Sequence, residues 1–110
     1  MQPFLTFSAE KIKDFREGDE IAFREIYLHF GPKIYRMAHS YLKGRQQSEE
    51  IVQDTLLTLW ENRQKFDESR ALEPYLFTIA RRLVLDQLRK VINSKALREN
   101  LLATIAELHN

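Results

Sequence analysis

Cysteine is absent from this 110-residue chain, glycine and proline occur three times each, and the net charge is only +1. Without cysteine the chain has no disulfide, no thiolate zinc site and no cysteine nucleophile, which is typical of a reducing cytoplasm. The scarcity of glycine and proline argues against a fold built from many tight turns. Because the net charge is close to zero, any argument about partners depends on how charge is distributed along the chain.

Long hydrophobic runs are also missing from the sequence. No apolar run approaches the roughly 18 residues of a membrane span. The N-terminal sequence MQPFLTFSAEK lacks a basic start followed by a long apolar core, so no signal peptide is predicted. We therefore expect a cytoplasmic protein with no membrane insertion.

Apolar residues recur at helical spacing along most of the chain and make up 44% of it, enough for a core. Ser8 is a predicted N-cap of a short helix that ends near Arg16, and Asp19 is the predicted N-cap of a second helix. The apolar stripe of the second helix keeps its phase across Pro32. This predicts one kinked or broken helix rather than two unrelated ones.

Further helices follow in the second half of the chain. Ser48 is the predicted N-cap of a helix that runs to about Arg63. Pro74 suits the first turn of a helix that runs to about Lys90, and Ser94 is the predicted cap of a last helix.

The predicted fold class is all-α, a compact bundle of about four to five helices. Residues 1–93 are expected to form the helical domain. Residues 94–110 are expected to form an amphipathic extension or the start of an interdomain linker.

The third predicted helix has a polar face beside its apolar core stripe. Placing residues 100° apart gathers one apolar and four polar side chains on that face, namely Glu50, Gln53, Asp54, Leu57 and Glu61. An apolar residue ringed by acids is typical of a protein interface, with an anchor inside a polar rim. The alternative is that Leu57 completes the core under another helix.

The stretch FTIARRLVLDQLRK in the fourth predicted helix also has two faces. Its apolar face carries Ile79, Ala80, Leu83 and Val84. The opposite side carries Thr78, Arg82, Asp86 and Arg89, with Leu85 and Arg81 beside them. One interpretation is a solvated face on which Asp86 bridges Arg82 and Arg89, at a few tenths of a kcal/mol per pair. The other is a face that holds a polyanion.

Charge is segregated between these two helices. Residues 48–73 carry seven acidic and three basic side chains, a net charge of −4, whereas residues 76–95 carry five basic side chains and one acid, a net charge of +4. A molecule of this kind can contact a basic protein surface and a polyanion at once. Phosphates are the commonest polyanion partner, and contacts with them weaken as the salt concentration rises.

The segment between the two helices brings rings and a cation beside the basic helix, in Phe66, Arg70 and Tyr75. Single-stranded nucleic acid is held in this way, by rings that stack on bases and cations that pair with phosphates, at about 1–3 kcal/mol per stacked base. The alternative is that Phe66 and Tyr75 close the end of the core.

Three stretches of the chain carry a family resemblance. SEEIVQDTLLTLW and KFDESRALEPYLFTIARRLVLDQLRK resemble region 2 of bacterial sigma factors of the extracytoplasmic-function group, and the upstream AFREIYLHFGPKIYRMAHSYL resembles the first part of the same region. The resemblance extends over roughly residues 18–90, in several ordered blocks. It implies a helical domain of transcription initiation that is not an enzyme and uses no cofactor or metal.

The resemblance implies that the acidic helix binds the coiled coil of the RNA polymerase β′ subunit. The polar positions of the family's block are occupied by Glu50, Gln53 and Asp54, with Leu57 and Glu61 on the same face. An anti-sigma factor is a further candidate partner.

The resemblance also implies that the domain melts the promoter −10 element and captures a flipped, unpaired base of the non-template strand. The segment from Phe66 to Arg70 would capture that base. The residues implied to contact DNA are Phe66, Arg70, Tyr75, Thr78, Arg81, Arg82, Asp86, Arg89 and Lys90.

Three positions depart from the family's pattern. Ser48 stands where alanine is common, Tyr75 where tryptophan is usual, and Arg82 where asparagine is typical. Asparagine both donates and accepts hydrogen bonds, whereas arginine only donates. We therefore expect phosphate binding rather than base readout at Arg82.

Complete members of the group carry a second helical domain, whose helix-turn-helix reads the −35 element, and the sequence after Lys90 has no room for it. The chain is then either an isolated region 2 fragment or a shortened protein, and we expect the fragment. For the segment 95–108 three alternatives stay open: it folds back on the core, pairs with another copy, or is a consequence of truncation.

Other function classes predict different behaviour. A helical protein-interaction module with no DNA role would depend on the face of Leu57 and not on the arginines. A helix-turn-helix repressor needs a tight turn, typically with glycine, and the segment 67–69 has none. Metal or enzyme chemistry finds little support, because Glu25 and His29 share a helix face without a second ligand pair, while His39 and His109 are isolated.

Overall fold

The structure, a computed structural model, describes residues 7–109. Residue 110 and residues 1–6, on which the prediction of no signal peptide partly rests, lie outside the described residues. The described part of the chain forms four α-helices and one 3₁₀ turn, and none of these helices is long and apolar enough to cross a membrane. The prediction of an all-α bundle of four to five helices is confirmed. The elements are α1 (Ala9–Arg16), α2 (Glu20–Leu42), α3 (Arg45–Glu61), the 3₁₀ turn (Arg63–Lys65) and α4 (Leu72–His109).

Both predicted N-caps in the first part of the chain are confirmed. The Ser8 hydroxyl accepts a hydrogen bond from the backbone amide of Lys11 at 3.1 Å, and the Asp19 carboxylate accepts one from the amide of Ile21 at 2.9 Å. Such side chains satisfy amides that the first turn of a helix leaves unpaired. Between the two helices Gly18 has a φ of +96°, which glycine adopts without strain.

α2 is one continuous helix through Pro32, so the two halves of the apolar stripe belong to one helix as predicted, but the predicted break is not present. Pro32 has no N–H, so it gives no hydrogen bond to the carbonyl of Leu28 one turn earlier. Both residues lie on the exposed side of α2, where water reaches that carbonyl. The helix ends at Lys43, whose φ of +64° reverses the chain.

The prediction that Ser48 caps α3 is wrong. α3 begins four residues earlier, because the left-handed conformation of Lys43 turns the chain at once and Gly44 takes the N-cap position. Ser48 is fully buried, and its hydroxyl donates to the carbonyl of Gly44 at 2.6 Å. The hydroxyl thus bonds back along its own helix, and Ser48 is a core residue of α3.

The core lies between α2, α3 and the first half of α4, with α1 covering one end of α2. α2 and α3 form an antiparallel hairpin whose open end is closed by an aromatic cluster. In it the ring of Phe23 lies 6.1 Å from that of Phe15 and 4.9 Å from that of Trp60. The largest fully buried apolar side chains are Phe15, Ile26, Ile34, Ile51, Leu56, Leu59 and Leu76.

α4 is one helix of 38 residues, about 57 Å long. The predictions that it ends near Lys90 and that Ser94 caps a separate helix are wrong. The sequence around Ser94 contains neither glycine nor proline, so nothing interrupts the helix there. The last buried residue of α4 is Val84, and every described residue from Arg89 onward is exposed.

The second half of α4 projects beyond the bundle. The protein measures 70 × 28 × 21 Å and has a radius of gyration of 19.2 Å, against about 13 Å for a compact domain of this length. We call residues 93–109 the tail. Because all of its residues are exposed, the tail does not fold back on the core.

Leu56 and Leu57 are chain neighbours in opposite environments, at 0% and 53% exposure. We expect Leu56→Ala to lower the free energy of unfolding by about 2–5 kcal/mol, because it leaves a cavity in the core. Leu57→Ala is the matched control, and we expect it to change that free energy by less than about 1 kcal/mol. Urea unfolding followed by circular dichroism measures both, and equal losses would contradict an outward-facing Leu57.

Candidate functional site

The outer side of α3 presents all five residues predicted for an interface. Leu57 is 53% exposed, so the alternative that it completes the core is not supported. The opposite side of the helix is buried against α2 and α4. We call the outer side the acidic face; its residues are Glu50, Gln53, Asp54, Leu57 and Glu61, all of them exposed.

The three carboxylates of the acidic face are free of local ion pairs. Among residues 7–109, Glu50, Asp54 and Glu61 have no lysine or arginine partner within ion-pair distance. Glu49, on the neighbouring side of α3, differs because it accepts a hydrogen bond from Arg45 at 3.0 Å. That bond holds the pKa of the Arg45 guanidinium above its usual value. The charge of the acidic face is therefore not neutralised by ion pairs within the described chain.

An open apolar groove of about 560 Å³ borders the acidic face, between α2 and α3. Arg63 lies at one side, with its guanidinium 4.2 Å from the centre of the Trp60 ring. Because α2 supplies half of the groove, the pattern of α3 alone could not predict it. The groove is lined by Glu20, Phe23, Tyr27, Gln53, Leu57 and Trp60.

The first half of α4 presents the predicted cationic side to solvent. Asp86 pairs with Arg89 at 3.3 Å, but within the described chain it has no ion pair with Arg82, so the predicted double bridge is only half present. Arg81 and Arg82 have no ion-pair partner in the part of the chain that the structure describes. We call this side the basic face; its exposed residues are Thr78, Arg81, Arg82, Asp86, Arg89 and Lys90.

Two side chains on or beside the basic face, Thr78 and Leu85, differ from what the sequence predicts for a purely polar face. The hydroxyl of Thr78 donates to the carbonyl of Pro74 at 2.9 Å, so its proton is already engaged. Leu85, which was not among the predicted contacts, is 50% exposed and lies one turn from both Arg81 and Arg89. The basic face thus has an apolar side chain between its cations, a feature that its position beside the arginines in the sequence already indicated.

The structure supports the alternative that the ring of Phe66 closes the end of the core, and not the implied contact of this ring with DNA. The Phe66 ring is 2% exposed and packs edge-on against Tyr75, with 5.0 Å between the ring centres. In this conformation Phe66 cannot stack on a base, because the 3₁₀ turn before it directs the chain inward and the ring closes the core. Tyr75 is half-buried beside it.

The segment after Phe66 is held in shape by Asp67. Its carboxylate accepts hydrogen bonds from the hydroxyl of Ser69 at 2.7 Å and from the Ser69 amide at 2.9 Å. These bonds hold the pKa of the Asp67 carboxyl below its usual value, with smaller contributions from the charges of Arg70 and Arg16. Arg16 of α1 also pairs with Glu68, which ties the segment to the bundle.

A cavity of about 580 Å³ opens beside this segment, between α1, α2 and the start of α4. This volume lies within the range of small-ligand sites, about 300–1,000 Å³. An ion pair of 2.9 Å between Lys33 and Glu73 crosses from α2 to α4 at the cavity. Apolar lining comes from Phe7, Ile12, Phe30 and Leu72, and charged lining from Lys33, Glu68, Arg70 and Glu73.

The sequence pattern behind these faces is shared with known proteins. A family model described as sigma-70 region 2 matches residues 26–91. The chain belongs to the sigma-70 region 2 family. The acidic face and the basic face lie wholly inside the matched residues, whereas the tail lies beyond them.

Relatives place this region 2 in the extracytoplasmic-function group, which confirms the resemblance. The chain is 41% identical over 80 residues to the ECF RNA polymerase sigma factor RpoE of Cereibacter sphaeroides, covering 72% of this chain and 43% of that protein. It is 31% identical over 81 residues to SigW of Bacillus subtilis, covering 74% and 43%. The chain thus spans less than half the length of these relatives.

A solved structure has the same fold as this region 2. It is the NMR structure of an engineered region 2 of sigmaE in complex with GTAAAA, with a TM-score of 0.69 and 20% sequence identity. The match covers 82% of this chain and 93% of that one. The likeness confirms the region 2 fold of the bundle.

The hydrogen bonds from Ser69 lead to a prediction about Asp67. Because they are the largest cause of its lowered pKa, we expect Ser69→Ala to raise the Asp67 pKa towards its ordinary value. Arg70→Ala is the control, and it should raise this pKa less. In the wild type the hydrogen bonds from Ser69 to Asp67 stabilise the segment fully above the ordinary carboxylate pKa. That stabilisation is lost as the pH falls through the folded pKa of Asp67. An NMR titration of the Asp67 carboxyl carbon measures this pKa in both variants. A larger rise for Arg70→Ala than for Ser69→Ala would contradict the prediction.

Proposed function

We propose that this region 2 binds RNA polymerase through its acidic face and promoter DNA through its basic face, in transcription initiation in the cytoplasm. The observation that carries the proposal is that two faces of opposite charge, both free of most local ion pairs, lie on separate helices of a sigma-70 region 2 fold. The chain would thereby link the polymerase to DNA. Its proposed partners are the β′ coiled coil and the non-template strand of the −10 element.

The acidic face suits a coiled coil as its partner. A coiled coil presents an apolar seam flanked by charged side chains. Leu57 and the ring of Trp60 offer an apolar surface in the groove, and Glu50 and Asp54 stand beside it as unpaired acids. Docking would bury the apolar surface and pair the acids with basic side chains of the partner, which favours both affinity and correct orientation.

The basic face suits a DNA backbone. Arg81 and Arg82 project to solvent without acidic partners in the described chain, so they pay no cost in broken ion pairs when they meet phosphates. Arg82 replaces the family's typical asparagine, and its donor-only fork fits phosphate oxygens. Leu85 between the cations supplies an apolar contact for a base or a thymine methyl group.

The proposed place for the unpaired base is the cavity beside the Asp67 segment, instead of the ring of Phe66. Extruding a base costs a few kcal/mol, which a pocket with apolar walls and polar contacts can offset. The cavity offers apolar walls in Phe30 and Leu72 and charged groups in Lys33 and Arg70. Its position next to the first turn of α4 leaves the backbone of the same strand within reach of the basic face.

The polymerase contact is tested by charge reversal on the acidic face. We expect the double variant Glu50→Lys/Asp54→Lys to weaken binding to purified core polymerase by about tenfold or more, because it replaces attraction by repulsion. Glu10→Lys, an exposed acid on α1, is the control and should bind normally. Pull-down with core enzyme, after circular dichroism shows that each variant is folded, provides the measurement. Unchanged binding of the double variant would rule out this face.

The DNA contact is tested in the complex with core polymerase, using a fluorescent single-stranded −10 oligonucleotide at several salt concentrations. We expect Arg81→Gln/Arg82→Gln to weaken binding and to lower the slope of log affinity against log salt by about 1.4, or 0.7 for each lost phosphate contact. Arg24→Gln, an exposed arginine of α2, is the control. If the double variant binds polymerase and DNA like the wild type, the domain is better described as a protein-interaction module with no DNA role.

A further inference from the structure

The tail carries a stripe of large apolar side chains that nothing in the described structure covers. At 100° per residue they fall within a sector of about 140° on one side of α4. The stripe lies beyond the residues that match region 2, so the proposed function does not use it. Its members are between 50% and 81% exposed; they are Leu97, Leu101, Leu102, Ile105 and Leu108.

The stripe repeats the core face of α4. Eighteen residues make five whole helical turns, so residues 18 apart point to the same side. Leu83 and Val84, which pack into the bundle, are followed at this spacing by Leu101 and Leu102 in the tail. The tail therefore has the face of a bundle helix but no bundle beside it.

A helix of this kind is stabilised by packing of its apolar side. An isolated helix of roughly 15 residues is only marginally stable in water, and monomeric proteins rarely expose apolar patches larger than a few hundred Å². The five side chains of the stripe are each at least half exposed, so the stripe is a large apolar patch by the standard of monomeric proteins. Its length, its single-sided form and its distance from the bundle together point to a second helix as its cover.

We propose that the tail pairs, antiparallel, with the tail of a second copy of this chain. From their exposed fractions the five side chains expose roughly 600 Å² on each copy. A pair of tails would therefore bury at most about 1,200 Å², which reaches the lower limit of stable interfaces when the stripe is completely covered. When the pairing is centred on Leu101, Leu97 lies level with Ile105 of the second copy, and Leu101 lies level with Leu101 of the second copy. The interface is thus formed by one and the same patch on both copies, as twofold symmetry requires.

The charges on the tail favour the antiparallel arrangement. At 100° per residue Arg98 lies inside the sector of the stripe, between Ile105 and Leu102. In a parallel pair it would lie beside Arg98 of the second copy, which is unfavourable. In the antiparallel pair it lies level with Thr104 instead. The two basic residues Lys95 and Arg98 balance Glu99 and Glu107, so identical tails do not repel each other through net charge.

The pairing is compatible with the bundles. Residue 109 of one copy would lie level with residue 93 of the other, whereas the last residue of α4 that packs against the core is Leu88, about 7.5 Å further along the helix. The two bundles would stand at opposite ends of the paired tails. The acidic face and the basic face take no part in the contact, so this proposal stands or falls independently of the proposed function.

Sedimentation equilibrium of the protein across the micromolar range tests the proposal. We expect a monomer–dimer equilibrium for the wild type, and for Leu101→Glu a dissociation constant raised by about a hundredfold or more, because the change puts two like charges at the centre of the interface. Ala103→Glu is the matched control. It adds the same charge to the opposite side of the same helical turn and should leave the dimer intact.

The absence of cysteine allows a separate test of orientation. In the antiparallel pair residue 94 lies level with residue 108 of the second copy. A mixture of Ser94→Cys and Leu108→Cys proteins should therefore form the mixed disulfide under mild oxidation, and Ser94→Cys alone should form little. Efficient linkage of Ser94→Cys to itself would overturn the antiparallel arrangement.

Three other outcomes overturn the proposal as a whole. One is a wild type that stays monomeric throughout the concentration range. Another is a dimer that Leu101→Glu does not weaken, since a different surface then forms it. The third is a monomer whose tail amides become protected from hydrogen exchange only when core polymerase is added, which would assign the stripe to polymerase.

Discussion

The packing of one side of α4 against α2 and α3 is the interaction on which the rest of the structure depends. Leu76, Ala80 and Val84 are almost completely buried there, and they fix the rotation of α4 about its own axis. With that rotation fixed, Arg81 and Arg82 must point to solvent. The same packing holds the first turn of α4 beside α2, where Lys33 meets Glu73 and the cavity forms. One apolar contact surface therefore positions both the cations and the cavity.

Ion pairs divide the charged residues of this protein into two groups. Lys11 with Glu25 and Lys33 with Glu73 each join two helices, and Arg16 with Glu68 joins α1 to the segment before α4. Charges of this group are matched within the chain, and exposed or half-exposed pairs contribute at most modestly to stability. The second group, on the outer sides of α3 and α4, is largely unmatched. A near-neutral protein can therefore present two strongly charged faces.

Helical periodicity predicted which side chains of a helix face outward, but it did not predict where each helix begins and ends or how neighbouring elements pack together. The outward positions of Leu57 and Arg82 follow from helical spacing alone, and the caps Ser8 and Asp19 follow from local hydrogen bonding. The prediction that Ser48 is an N-cap was wrong because the turn at Lys43 sets the start of α3. The prediction that Ser94 is an N-cap was wrong because a serine cannot stop a helix that lacks a breaking residue. The burial of Phe66 and the shape of the groove and cavity need two or three elements at once, which no stripe encodes.

The position of Trp60 has an optical consequence. It is the single tryptophan of the chain, and it lies in the groove beside the acidic face with the guanidinium of Arg63 over its ring. Indole emission depends on the polarity and the charge around the ring. A peptide without tryptophan that fills the groove would displace water from this ring and shift its emission, whereas an oligonucleotide bound at α4 would leave it nearly unchanged. The domain thus carries a built-in fluorescent reporter for one of its two faces only.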